Sequence, residues 1–428
     1  MKNKTKINLI LIIYNLLWYI LLPLVLLFYL LRLILKKEDI KRFYERFGYI
    51  KKEQLNKKVI WLHAVSLGET MAAVNLATEL KKSFPKFSIV ISTNTITSAN
   101  YIIKKSKFIH CYQPLDHPLF VKNFLCFWNP YYAIFLESDY WPNLILGTQN
   151  RGIPIFFSSA QISKKAFNRW SKIPSLSKLI FNSPELIFCI DKDQRSNFLK
   201  LRKKKIDKNI KIIGSLKISK NKLKCDKYFL SKLKSWSKNY KVILAASIHD
   251  IEDQIILTLH LNLQDKGYKY KLIIAPRHPK LAKKLEKNFS NAKRKSLNQY
   301  PDFDDNVYIC DTLGEMGCLY SVSDIIILGG SFIQVGGHNP LEPAHYGKII
   351  ITGKSKEKNA FEFYNLKRIG LVKEALNYQD LEGKVSYFLK NTIKKTTSLN
   401  GINYAKNSYN RNILTSQEIK KYLDQNDY

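Results

Sequence analysis

The stretch Asp324–Gly347, DIIILGGSFIQVGGHNPLEPAHYG, opens with the apolar run Ile325-Ile326-Ile327-Leu328. A short, continuous β-branched run of this kind reads as a fully buried parallel strand. It ends in Gly329-Gly330-Ser331, and a second glycine pair follows at Gly336-Gly337. Asn339 then reads as an N-cap, Pro340 as a first helical residue and Glu342 as a first-turn carboxylate. Strand, glycine-rich loop and capped helix together place bare backbone N–H groups and a helix dipole where an anion can sit. The reading is a phosphate site, with Glu342 set to accept hydrogen bonds from a ribose diol. The plain alternative is a left-handed turn joining a strand to a helix.

Working outward, the same alternation recurs on both sides. Val59–His63, Phe87–Ile91, Tyr132–Leu136, Ile153–Phe157 and Leu186–Ile190 are short apolar runs separated by helical or polar stretches, among them a helix over Thr70–Lys82. A second set comprises Val242–Ala246, Tyr270–Ala275, Val307–Cys310, Ile325–Leu328 and Ile349–Thr352. Such alternation predicts α/β architecture with two doubly wound parallel sheets facing a cleft. The lysine-rich interval Lys200–Lys241 marks the passage between them. The expected boundaries are 1–35 for an anchor, 36–217 and 218–397 for the two sheet domains, and 398–428 for a weakly helical tail that crosses back onto the first domain.

Residues 8–31, NLILIIYNLLWYILLPLVLLFYLL, are long and apolar enough to cross a bilayer. Lys2, Lys4 and Lys6 precede them and Arg32, Lys36 and Lys37 follow. No small-residue cleavage site is evident, so the segment reads as an anchor, either spanning or lying in the interface. Residues 36–56 form an amphipathic stretch for which two roles compete: a helix pressing its Lys and Arg toward lipid phosphates, and a packed connector.

The 428 residues carry 70 Lys and Arg against 34 Asp and Glu, a formal charge of +36. That excess points to an anionic partner, although the abundance of Lys, Asn and Ile also matches the bias of an AT-rich genome. The basic residues are spread along the chain without a nucleic-acid-binding signature, which argues against nucleic acid. Six cysteines lack CxxC pairs and regular spacing, so they read as small buried hydrophobes in a reducing compartment, not as a zinc site.

Candidate chemistry gathers at strand ends. Glu69, in the turn after the first strand, suits a general base, or else a carboxylate favourable to a helix N-terminus. Glu137 and Asp139 flank Ser138; two apart on an extended segment, both can face one pocket, or cap the helix after Pro142. Lys217 follows Ile212-Ile213-Gly214 and can face a developing negative charge, unless it is simply solvated. Arg277-His278 at a strand's carboxyl end suits phosphate or base recognition. Gly314-Glu315-Met316 opens another helix whose amides can reach the same ligand.

Taken in order, HAVSLGE at 63–69, ESDYWPN at 137–143, GSLK at 214–217, PRHP at 276–279, DTLGEM at 311–316, GGSF at 329–332 and GGHNPLEPA at 336–344 resemble the 3-deoxy-D-manno-octulosonic acid (Kdo) transferases. The resemblance, together with the apolar N-terminal segment, covers nearly the whole chain. It implies a GT-B, inverting glycosyltransferase that needs no metal and no cofactor. The donor would be CMP-Kdo and the acceptor the 6′-hydroxyl of the tetra-acylated lipid A precursor, at the cytoplasmic side of the bacterial inner membrane. Glu69 would then be the base, and the acid of the Glu137/Asp139 pair with Lys217 would stabilise the transition state. Arg277, His278, Gly314, Glu315, Met316, Asn339, Pro340, Leu341 and Glu342 would hold CMP. Three positions depart from the family pattern. Asp139 stands where a second Glu is usual, Gln161 in SAQIS where an Arg is usual, and Ser215 where an Asn is usual. Two rivals stand beside this reading: a GT-B transferase or epimerase using a UDP-sugar, and a non-catalytic, membrane-anchored binder of anionic lipid.

Overall fold

The β-branched runs form two parallel sheets in the computed structural model, which describes residues 9–51, 57–218, 222–289 and 292–426. Lys2, Lys4, Lys6 and residues 52–56 of the amphipathic stretch lie outside the described residues. The chain divides into two compact units, Met1–Ile218 with Asn410–Tyr428, and Ser219–Tyr409.

Unit 1 holds β1 (Val59–His63), β2 (Ser88–Thr93), β3 (Ile109–Tyr112), β4 (Pro130–Leu136), β5 (Ile155–Ala160), β6 (Leu186–Cys189) and β7 (Ile210–Ile212). Their order is β3-β2-β1-β4-β5-β6-β7, parallel throughout, with Trp61 in register with Val90 on one side and Ala133 on the other. Alternate side chains of each central strand enter opposite layers: Trp61 packs with Phe124, Phe135 and Phe157, while Ile60 and Leu62 pack with Leu76, Leu80 and Phe156. Burial on both faces is why these strands read as continuous apolar runs. Strand order reverses direction between β1 and β4, so the crevice at their carboxyl ends is the topological switch point where ligands bind in such sheets.

Unit 2 holds β8 (Lys241–Ile248), β9 (Tyr270–Pro276), β10 (Lys293–Arg294), β11 (Val307–Ile309), β12 (Ile325–Leu328), β13 (Ile349–Thr352) and β14 (Val372–Glu374). The order is β10-β11-β9-β8-β12-β13-β14, again all parallel. Its switch point lies between β8 and β12. The unit closes with the helix Lys395–Ser408, whereas the last helix, Asn410–Gln425, packs in unit 1 against the helix Leu67–Ser83 and buries Ile419 and Leu423.

The N-terminal helix Leu9–Ile34 runs beside unit 1 with its residues sorted by face. Tyr14, Asn15, Trp18, Tyr29 and Arg32 are half-buried against the body, while Leu16, Ile20, Leu24, Leu27 and Leu31 are exposed. Contacts recur along its length. Ile10 and Leu11 meet the core, the Tyr14 hydroxyl donates to Asp116 Oδ2 at 2.8 Å, Trp18 and Tyr19 stack edge-on against His117, and Arg32 pairs with Glu38 at 2.8 Å.

Of the two roles open to the amphipathic stretch one is realised, and the reading of the cysteines is corrected. Among its described residues the amphipathic stretch gives a short 3-10 helix, Ile40–Phe47, ended by Gly48 at φ +74°. Its arginines turn into the protein and away from lipid: Arg46 is 2% exposed and donates to Asn94 and Gln113, and Arg42 binds Glu45 and His110. Its described residues form a packed connector. Among the cysteines, Cys111, Cys189 and Cys310 are buried as free thiols, but Cys225 and Cys318 form a disulfide and Cys126 is exposed. The pairing comes from packing, not spacing. A Cβ on Gly317 would lie 2.3 Å from the Lys224 carbonyl oxygen, so only glycine lets the segment before Cys225 lie on the helix carrying Cys318.

Candidate functional site

At the unit 1 switch point, β1 delivers the chain to Ser66, which caps the helix Leu67–Ser83. Ser66 Oγ accepts from the Glu69 N–H at 3.4 Å and donates to Glu69 Oε1 at 2.9 Å, while Oε2 accepts from the Val65 N–H at 2.8 Å. This is a variant of the capping box, its return bond coming from the N–H of the residue before the cap, and it ties the Glu69 carboxylate at the carboxyl edge of the sheet. The helix-terminal reading of Glu69 is thus realised in the geometry, and the same bonds hold its half-buried carboxylate in place.

Beyond β4, Glu137 adopts φ +64°, a left-handed turn that breaks the extended run. The expectation that Glu137 and Asp139 share one pocket therefore fails, and their carboxylates part. Glu137, 4% exposed, receives the Lys217 ammonium at 2.7 Å and the Gln161 amide at 2.9 Å. Asp139 Oδ2 instead meets His63 Nε2 and accepts from Trp141 Nε1, both at 2.8 Å. Burial raises the Glu137 carboxyl above its ordinary range, Lys217 pulls it back, and the nearby Glu69 carboxylate pushes it up again. A Cβ on Gly68 would lie 3.2 Å from Lys217 Cε, so the lysine stem crosses the turn that presents Glu69. Glu69, Glu137, Gln161 and Lys217 form one cluster, and Asp139 belongs beside it with His63.

Lys217 is held from behind. Leu216 is buried and its N–H donates to Ser159 Oγ at 3.1 Å, while Arg411 donates to the Ser215 carbonyl at 3.1 Å. Gly214, at φ +101°, has Arg411 atoms 2.9 Å from where a Cβ would be. Neither Glu137 nor Asp139 caps the helix Pro142–Asn150. The buried Asp116 does so, accepting from the Asn143 N–H at 3.0 Å and the Leu144 N–H at 2.8 Å. Burial pushes its carboxyl up to about 7 against those donors. No spacing in the sequence joins Asp116 to a helix starting 26 residues later.

In unit 2 the loops after β8, β9, β11 and β12 all leave the sheet at its carboxyl edge. Arg277 follows β9, its N–H donating to the Ile248 carbonyl at 2.8 Å, and His278 stands beside it. Gly314, at φ +109°, precedes Glu315 and Met316 at the start of the helix Met316–Val322. Asn339 Oδ1 accepts from the Leu341 N–H at 3.0 Å, ahead of a helix only four residues long, Leu341–Ala344. Burial raises the Glu342 carboxyl while the Arg277 guanidinium opposes the rise.

The glycine amides do not form an anion cradle. Glu252, 1% exposed at the start of the helix Glu252–Asp265, accepts from the N–H groups of His249 and Gly330 at 2.9 Å and of Phe332 at 3.1 Å. The Gly336 N–H donates to Ser355 Oγ, the Gly337 N–H to the Gly330 carbonyl and the His338 N–H to the Gly329 carbonyl. A resident carboxylate and the loop itself already occupy these donors. What the glycines supply is proximity: a Cβ on Gly329 would sit 2.5 Å from the Ser247 carbonyl oxygen, and one on Gly330 would meet the His338 ring at 3.1 Å. His249 and His338 thereby arrive at the switch point, a role the sequence reading missed; a histidine directly after an apolar run was the signal.

The description "3-Deoxy-D-manno-octulosonic-acid transferase (kdotransferase)" belongs to the family model matched by residues 41–220. A 3-deoxy-D-manno-octulosonic acid transferase of Rickettsia bellii is 36% identical over 355 residues, covering 81% of this chain and 83% of its own. One of Haemophilus influenzae is 30% identical, covering 90% of this chain and 92% of its own. Among solved structures, a glycosyltransferase from Rickettsia africae superposes with TM-score 0.60 at 15% identity, over 87% of this chain and 100% of that one. A UDP-GlcNAc 2-epimerase from Neisseria meningitidis gives 0.55 at 15% identity, over 86% and 100%. These two likenesses concern the fold, two Rossmann-like units of the GT-B type.

Proposed function

Because the chain belongs to the 3-deoxy-D-manno-octulosonic acid transferase family, we propose that it moves Kdo from CMP-Kdo to the 6′-hydroxyl of a tetra-acylated lipid A precursor, with inversion and without a metal. Unit 1 supplies the base. Glu69 removes the proton from the acceptor hydroxyl, the oxygen bonds to the anomeric carbon of Kdo, and the bond to the CMP phosphate breaks, releasing CMP. Lys217, held by Glu137, stabilises negative charge at the reacting centre. Unit 2 holds the nucleotide through Arg277 and His278, the Gly314-Glu315-Met316 turn and the Asn339-Pro340-Leu341-Glu342 segment, with Glu342 on the ribose.

The observation that carries this reading is the unit 1 cluster: a carboxylate tied by a variant capping box, beside a lysine–glutamate pair, at the end of the strands where such sheets bind ligands. Incubating the protein with CMP-Kdo and the lipid precursor and weighing the product tests it. Glu69→Gln keeps the side chain's shape and lowers turnover about 10²–10⁴-fold while CMP binding stays near wild type. Normal turnover in that variant removes Glu69 from the role of base.

The acceptor is a lipid, and the N-terminal helix fits a membrane surface. Its mean hydropathy is 2.4 over an 18-residue window, yet its polar-tipped residues face the protein and its outward face is apolar. Contacts from Tyr14 to Arg32 extend about 27 Å along unit 1 at 1.5 Å per residue. Were the helix to cross a bilayer, the buried Asp116 and the Glu38–Arg46 pair would be drawn to hydrocarbon depth, at high cost. These contacts support the reading in which the helix lies in the interface of the inner membrane, with the body on the cytoplasmic side.

A further inference from the structure

The unit 2 switch point gathers cations around a loop whose amides are already engaged, so an anion bound there must be met by side chains. Two of these are coupled. His249, directly after β8, and His338, in the loop after β12, lie edge to edge with rings within 4° of coplanar and Nε2 atoms 2.9 Å apart. One nitrogen must donate and the other accept, so the contact holds a single hydrogen. The Ser247 carbonyl faces the His338 ring and can only accept, so the nitrogen turned to it carries a hydrogen. With that nitrogen as Nδ1, His338 Nε2 is the acceptor, His249 Nε2 is the donor, and His249 Nδ1 is the pair's open basic nitrogen.

The surroundings keep the unliganded pair neutral. The charges of Arg277 and Lys358 act on both rings, and His278 stands edge-on to His249 with centroids 5.9 Å apart. Against them stands Glu252, whose carboxylate is bound to three amides. Burial, then the His249 ring and after it Arg277 and Lys358, lowers His338 to about 4; burial likewise lowers His249, with Glu252 opposing. An incoming anion reverses that balance.

We propose that His249 and His338 form a proton-loading anion site. When the phosphate or the sugar carboxylate of the donor docks among Arg277, His278 and Lys358, one proton is taken from water onto the pair. His249 Nδ1–H then donates to the anion, and the proton returns to water when the anion leaves. The assignment rests on the CMP-Kdo reading and adds to it two residues and a proton balance.

Calorimetric titration at pH 7.5 in two buffers of different ionisation enthalpy tests this on the full-length protein in detergent. CMP carries the phosphate alone, free Kdo the carboxylate alone, and cytidine neither. Uptake approaching one proton per CMP, and none with cytidine, is the expected result; uptake with Kdo in place of CMP assigns the pair to the carboxylate. His249→Gln and His338→Gln abolish the uptake and weaken binding of the anion about tenfold or more, the loss expected for a charge-assisted bond. Binding of both anions with no buffer dependence in the wild-type protein overturns the proposal and leaves the donor assignment intact. Failure of CMP and CMP-Kdo to bind at all overturns both.

Discussion

A single left-handed residue decides how the unit 1 acids divide their work. With Glu137 at φ +64°, its carboxylate joins Lys217 and Gln161, while Asp139 is left to His63 and Trp141. The sequence showed two acids at a strand end, but it could not show that they would part, because alternation assumes extended backbone. The departure at Gln161 also gains a meaning: in place of a second cation, Glu137 is bound by a neutral amide. With burial raising this carboxyl and Lys217 the leading opponent, adding a cation must favour the ionised form. Gln161→Arg should therefore move the acid limb of kcat/KM to lower pH. Lys217→Met should move it to higher pH, with turnover reduced about 10²–10³-fold by loss of the charge at the reacting centre. Rate–pH profiles of the two variants check the sign. Limbs that stay in place, or move together, exclude Glu137 as the group whose protonation stops the reaction.

At the scale of elements, the strands that the sequence revealed and those it hid differ in one respect. The interior strands β1, β4, β8 and β12 are buried throughout or nearly so, and all were legible as apolar runs. The hidden ones, β3, β7, β10 and β14, are the four sheet edges, with sequences such as Lys293-Arg294 and Val372-Lys373-Glu374. An edge strand pairs on one side only, and β7, β10 and β14 keep charged side chains, which is also how edges resist pairing with other chains; β3, Ile109–Tyr112, carries no Lys, Arg, Asp or Glu and is only four residues long. The apolar N-terminal helix was legible by length, but its orientation was not, since the sorting of its faces depends on partners such as Asp116 and His117, distant in sequence. An in-plane helix has both ends on one side of the bilayer. Lys4→Cys and Lys37→Cys, each in a Cys126→Ala background, should both react with an impermeant maleimide in everted inner-membrane vesicles and neither in right-side-out ones. Reaction of Lys4→Cys from the opposite face would establish a spanning helix.

For the whole molecule, the chain order matters more than the strand count. Unit 1 is completed by the last helix, Asn410–Gln425, after the chain has built all of unit 2. The expected return of the tail to the first domain is realised from Asn410 onward, and it has two consequences that weak helical character alone does not give. One is stability: Ile419 and Leu423 enter the core layer with Leu76, Leu80 and Phe156. Truncating such a side chain costs about 2–5 kcal/mol. The other is position, since Arg411 occupies the space left by Gly214 and donates to Ser215, two residues before Lys217. Loss of this helix should thus act on unit 1 and spare the residues proposed to hold CMP, all of which lie in unit 2. Ile419→Ala should lower the melting temperature of unit 1 by the amount such a cavity implies, with CMP affinity unchanged. Arg411→Met keeps the side chain's length and most of its packing but releases the loop. It should lower kcat with little change in CMP binding or melting temperature, because Lys217 loses its fixed place beside Glu137. Equal losses of CMP affinity and turnover in Arg411→Met would mean that the last helix serves the molecule as a general brace, not as the support of one catalytic lysine.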